Sequence, residues 1–162
     1  MITLEELETP FNSMSDYRLS TSTFLLIFSR FEFALKTIGY VRLGEYSIIV
    51  TWRKFADDYI VDFDTSQNTT AKYLPLITSP PSHQTLVDDK LEWVEEPPKE
   101  PSDADLRWLL EMVYRVRNNL FHGGKWPIDG TRDTVLVKSS MWVIAKCLEL
   151  NGPLKSAYFT TR

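Results

Sequence analysis

Arg117, Asn118, Asn119 and His122, followed by Gly123, Gly124 and Lys125, put a strong base, two amides and an imidazole into one short stretch. A guanidinium binds phosphoryl oxygens through paired donors, and an imidazole gives or takes a proton near neutral pH. On RNA the ribose 2′-OH is the nucleophile. His122 is then suited to deprotonating it or to protonating the leaving oxygen while Arg117 holds the phosphate, which leaves a 2′,3′-cyclic phosphate and needs no metal. The purely structural alternative is that Arg117 pairs with a helix carboxylate such as Glu32 and that backbone carbonyls satisfy His122 at a helix end.

The element that must position this cluster is a helix. Leu106, Leu109, Leu110, Val113, Val116 and Leu120 recur at spacings of three and four, one buried face. Ser102-Asp103-Ala104-Asp105 supplies a hydroxyl and carboxylates for its positive end, so the helix is predicted to begin near Asp103. Gly123-Gly124 stops it, because paired glycines accept left-handed backbone angles. Arg117 falls inside the apolar stripe and therefore implies a carboxylate partner, a bound phosphate or a polar interface. His122 lies about 140° further round at helical periodicity. Either the helix breaks before His122 or a second chain closes the site.

Around this helix the pattern predicts a long helix over 20–40, with Phe24, Ile27, Phe28, Phe31, Leu35 and Ile38 on one face and Gly39 and Gly44 marking its end. A second helix is predicted over 46–59 from Ile49, Trp52, Phe55 and Ala56. Residues 65–101 read as an irregular insertion holding Pro75, Pro80, Pro81, Pro97, Pro98 and Pro101. Within it, 85–87 and 91–94 flank Asp88-Asp89-Lys90 as a small β-hairpin. A last long helix spans 132–150, with Val135, Val137, Ser140 or Met141, Ile144 and Leu148 inward, and Gly152-Pro153 closes it before a short tail. The expected fold is all-α: one domain over 1–162, a bundle of four main helices with a long proline-rich crossover.

Composition bounds the function. Apolar residues make up 43% and aromatics 13% of the 162 residues, which suits an ordered globular chain. The net charge of −4 means that any attraction to phosphate must come from a local patch. Arg107, Arg115, Arg117 and Lys125 against Glu111 form one at the motif, whereas 84–105 is acidic. The single cysteine, Cys147, sits among apolar neighbours like a core residue, and this points to a reducing, cytoplasmic setting. The start of the chain has no secretory pattern, and no long apolar run is fit to span a membrane. Two histidines in unrelated contexts and no cysteine pair give no metal site, and no glycine-rich loop opens a helix as nucleotide fingerprints require, so no cofactor is expected. The acidic run Asp57, Asp58, Asp62 and Asp64 reads as a solvated face. Tyr114 and Trp126 are candidates for stacking bases of a single strand, or for packing.

Arg117-Asn118-Asn119-Leu120-Phe121-His122 resembles the motif of the HEPN superfamily: Arg, four residues, His, with a polar residue after the Arg. Ser29-Arg30-Phe31-Glu32-Phe33-Ala34-Leu35-Lys36 in the first long helix, followed after a proline-rich middle by the motif helix, is similar to small stand-alone bacterial HEPN proteins over 21–150. The resemblance implies a helical bundle that dimerises so that two motifs face one cleft. It also implies metal-independent endoribonuclease activity, often that of a toxin or phage-defence effector with a cognate antitoxin protein. Carried onto this chain, Arg117 is the phosphate binder and transition-state stabiliser, His122 the general acid and base, and Asn118 an orienting partner. Lys125 and Asn119 contact substrate, and Glu32 positions Arg117 from the first helix. Some HEPN domains bind without cleaving, which leaves a non-catalytic module for RNA, nucleotide or a partner protein as the alternative.

Overall fold

The computed structural model describes residues 15–63, 67–122 and 130–160. Its first helix, α1 (Ser15–Thr37), buries Phe24, Phe28, Phe31, Ala34 and Leu35 at spacings of three and four. Gly39 ends it. With φ at +93°, Gly39 lets its own N–H reach the Lys36 carbonyl at 3.3 Å and the Tyr40 N–H reach the Leu35 carbonyl at 3.0 Å, which caps the helix with a Schellman pair.

The expected second helix over 46–59 is shorter and starts later. Val41–Leu43 (β1) and Ile48–Val50 (β2) instead form an antiparallel hairpin, and α2 (Trp52–Tyr59) follows. The β-branched run Ile48-Ile49-Val50 favours a strand over a helix start. Phe55 and Ala56 remain buried, as their spacing required. The insertion over 65–101 is also more ordered than its prolines suggested, because it holds α3 (Gln67–Thr78) with Pro75 inside it. Tyr73, Leu76 and Ile77 of α3 are fully buried, and that packing against the core offsets the hydrogen bond lost at Pro75.

The hairpin read at Asp88-Asp89 is present. His83–Val87 (β3) pairs antiparallel with Lys90–Val94 (β4), and both aspartates take positive φ, 47° and 61°, as a two-residue primed turn demands. After a 3-10 turn over Pro101–Asp103, the motif helix α4 (Leu106–His122) begins a few residues later than expected. Its cap is Asp105, whose Oδ1 accepts from Trp108 N at 2.9 Å. Then α5 (Gly130–Leu150) packs against α1, α3, α4 and a further helix, α6 (Gly152–Phe159). That last helix replaces the expected tail. Asn151 caps it through Leu154 N at 2.7 Å and donates to the Tyr59 hydroxyl at 2.5 Å. At its other end Arg30 of α1 donates to the carbonyls of Tyr158, Ala157 and Thr160.

The chain is thus mostly helical, with six helices and two small hairpins among the described residues in place of four helices and one hairpin. The core gathers Phe24, Phe31, Phe55, Leu109, Met112 and Ile144 from four of the helices. Val135, expected inward, is exposed, while its neighbours Leu136 and Val137 are buried. No helix among the described residues is long and apolar enough to cross a membrane.

Candidate active site

The apolar face of α4 is the one its spacing called for. Leu106, Leu109, Leu110, Val113 and Val116 are buried, and Leu120 packs against the same core. The helix continues through His122, so no break separates it from Arg117. Of the two geometric alternatives, the early break is removed.

Arg117 is half-buried. Its Nη1 donates to Asn118 Oδ1 at 3.0 Å, and its guanidinium carbon lies 4.3 Å from the centre of the Phe121 ring and 5.8 Å from that of Phe28 on α1. Two aromatic rings thus bracket the planar cation, an arrangement that orients it without neutralising it. Its Nε is buried with no hydrogen-bond partner among the described residues. Glu32, the carboxylate expected to pair with it, instead bonds Lys36 one turn away at 2.8 Å. That is the short-range pair favoured on a helix surface.

The other arginines of α4 are paired, which leaves less free positive charge in the local patch read at the motif. Arg107 pairs with Asp57 of α2. Arg115 donates to Glu96 at 2.5 Å and to Glu111 at 2.6 Å, and its Nη1 lies 3.3 Å from His83 Nδ1. Burial alone would lower the Arg115 guanidinium, and the hydrogen bonds to Glu96 and Glu111 outweigh it, so its pKa is raised. Arg115 is therefore an anchor between α4 and the segment after β4. Asn119 is a second anchor, since its Nδ2 donates to the Ser82 carbonyl ahead of β3 at 2.8 Å. One N–H of its amide is thereby committed to the fold.

Tyr114, Arg117, Asn118 and Phe121 share one face of α4 by their spacing. Tyr114 is 42% and Phe121 59% exposed, and the Tyr114 ring lies 6.2 Å from that of Trp52. Sequence reasoning gave no role to Phe28, which sits in the ordinary apolar stripe of α1 and carries no local sign that a cation rests on it. The backbone of His122 is described as the last position of α4, and its side chain lies outside the described residues, as do Gly123, Gly124, Lys125 and Trp126 altogether. Cys147 is fully buried, and burial pushes its thiol up, so it is a core residue and not a nucleophile. Asp57 and Asp58 are engaged by Arg107 and by the Tyr40 hydroxyl, and no cluster of metal-ligating side chains occurs among the described residues.

No family model matches this chain, and neither does any curated protein or solved structure.

Proposed function

We propose that this chain is a HEPN-type, metal-independent endoribonuclease that uses Arg117 to hold the scissile phosphate and His122 to move the proton. The observation that carries the reading is the state of Arg117: a half-buried guanidinium, bracketed by Phe28 and Phe121, with its Nε unsatisfied and no carboxylate partner among the described residues. An unpaired cation in that position is costly unless an anion visits it. Charge on the phosphoryl oxygens grows towards the transition state, so a guanidinium fixed in advance stabilises that state more than the ground state.

In this mechanism Asn118 sets the plane of the guanidinium through its bond to Nη1. His122, as base, removes the 2′-OH proton, the 2′-oxygen attacks phosphorus, and the bond to the 5′-oxygen breaks. A protonated imidazole returns a proton to that oxygen. Because Arg117 and His122 stand about 140° apart on one unbroken helix, the working unit is a homodimer in which the two chains share a cleft. Lys125 adds a phosphate contact there. The setting is cytoplasmic, and the role is that of a toxin or phage-defence effector restrained by a cognate antitoxin protein.

A second reading follows from the pairing of Arg107 and Arg115, which leaves little free positive charge on α4. A non-catalytic HEPN module would use the same cleft to bind RNA, a nucleotide or a partner protein without turnover. Incubation of purified protein with single-stranded RNA in EDTA separates the two. Cleavage leaving cyclic or 3′-phosphate ends, lost in Arg117→Ala and His122→Ala, supports the enzyme. Binding without cleavage supports the module.

A further inference from the structure

A cleft of about 620 Å³ lies between α2 and α4, next to the face that carries Arg117. Trp52 and Arg53 line it from α2, Arg107, Trp108 and Tyr114 from α4, and Lys99 from the segment ahead of the 3-10 turn. Of its two acids, Glu111 pairs with Arg115, while Asp105 caps α4 and keeps its charge at the end of the cleft nearest the 3-10 turn. Arg107 is held by Asp57. Arg53 and Lys99 have no ion pair among the described residues, and the Lys99 ammonium rests 4.2 Å from the centre of the Trp108 ring.

Trp108 is only 9% exposed, and its Nε1 is buried with no hydrogen-bond partner among the described residues. A buried indole N–H normally finds an acceptor. The cleft therefore offers aromatic surface at Trp52 and Tyr114 and two cations without ion pairs, and its lining includes Trp108, whose buried indole N–H lacks an acceptor among the described residues. A nucleotide uses all three at once: its base stacks, a base carbonyl or phosphate oxygen accepts from the indole, and its phosphate meets Arg53 and Lys99. An aliphatic ligand would use only the apolar surface, and a bare anion would leave the rings of Trp52 and Tyr114 unused.

We infer that this cleft binds a nucleotide of single-stranded RNA flanking the phosphate held by Arg117, an assignment that rests on the proposed ribonuclease reading of Arg117. Tyr114 is one turn from Arg117 on the same helix face, and Trp52 stacks on Phe28, the ring that faces the Arg117 guanidinium. Nine residues of helix separate Trp108 from Arg117, about 14 Å along its axis and about 180° round it. That span exceeds one nucleotide, so a strand and not a free mononucleotide joins the two sites.

The test uses the full chain carrying His122→Ala, to stop turnover, with a fluorescein-labelled single-stranded oligouridylate read by anisotropy. Tyr114→Ala weakens binding about tenfold and Tyr114→Phe restores it, because stacking needs the ring and not the hydroxyl. Arg53→Ala lowers the slope of log affinity against log salt by about 0.7, one phosphate contact on a single strand. With His122 intact, Arg53→Ala lowers kcat/KM for the oligonucleotide at least tenfold more than for a dinucleotide too short to reach the cleft. Cleavage that persists with binding and salt slope unchanged in these variants overturns the cleft assignment and leaves the ribonuclease reading standing. Oligonucleotide binding that depends on Arg53 and Tyr114 in a wild type that cleaves nothing retains the cleft and overturns the ribonuclease. Uridine monophosphate binding as tightly as the oligonucleotide overturns the strand subsite, and a wild type that binds no RNA overturns both.

Discussion

Arg117 donates through Nη1 to Oδ1 of Asn118, the next residue in the chain, at 3.0 Å, and makes no other hydrogen bond among the described residues. The contrast with its neighbours is chemical. Arg30 is spent on three backbone carbonyls, Arg107 on Asp57, and Arg115 on Glu96 and Glu111. Each of those guanidinium groups ties two elements together, whereas Arg117 ties α4 only to itself and to the Phe28 ring.

A side chain with so few structural ties is removable without unfolding the chain. Arg117→Ala is expected to reduce RNA cleavage by about a hundredfold to a thousandfold, the scale of losing one preorganised donor to a developing charge. Its thermal midpoint should move by only a few degrees. Arg117→Lys should fail as well, since an ammonium cannot supply the planar fork. Gel-resolved cleavage in EDTA beside a circular dichroism melt checks both, and full activity in Arg117→Ala would sink the ribonuclease reading.

Arg115 should behave in the opposite way. Its side chain is 17% exposed and that of Glu96 19%, so the pair is largely removed from solvent. Loss of a charge-assisted bond there, which strands part of the Arg115 charge, costs about 2 kcal/mol. Glu96→Ala is therefore expected to lower the urea midpoint clearly, with the β3–β4 hairpin loosening first. A midpoint equal to that of the wild type would show that the hairpin is anchored by Asn119 and backbone contacts alone.

The elements legible in the sequence were those whose signals are local. The α4 stripe, the Gly39 stop and the Asp88-Asp89 turn each follow from spacing or from a residue that tolerates positive φ. What was not legible depended on distant partners. Pro75 argues against a helix until Tyr73, Leu76 and Ile77 find a core to enter. Arg107 reads as part of a basic patch until the fold brings Asp57, fifty residues earlier, against it. For the candidate site, the residue types and the turn to a second face were legible, and the aromatic bracket from Phe28 was not, because nothing in α1 marks that ring from its buried neighbours.

Gly39 supports the site indirectly by turning the chain from α1 into the β1–β2 hairpin and on to Trp52. At φ +93° a Cβ is strained even though no atom lies within 4 Å of the position it would take. Gly39→Ala is expected to cost about 1–2 kcal/mol through backbone strain alone. Chemical denaturation measures it, and a neutral result would mean that the Schellman cap relaxes at no cost.

Cys147 offers a probe of the whole fold. It is the single cysteine of the chain, fully buried, with burial pushing its thiol up, so both access and thiolate are scarce in the native state. Ellman's reagent at mildly alkaline pH should leave the native protein unlabelled and titrate one thiol once denaturant is added. Rapid native labelling would show that the α5 face of the core opens readily.

The proposed two-chain cleft makes the sharpest demand on the chain. If Arg117 and His122 act across a dimer, Arg117→Ala and His122→Ala are inactive alone yet complementary. A heterodimer of the two can bring an intact Arg117 from one chain to an intact His122 from the other, since the pair about 140° apart on one helix is split between two. Refolding the two inactive proteins together should restore cleavage that neither regains when refolded alone, and native mass spectrometry would verify that heterodimers formed. Heterodimers without activity would place Arg117 and His122 of the same chain in each site, and the continuity of α4 through His122 would then require the substrate to wrap around the helix end.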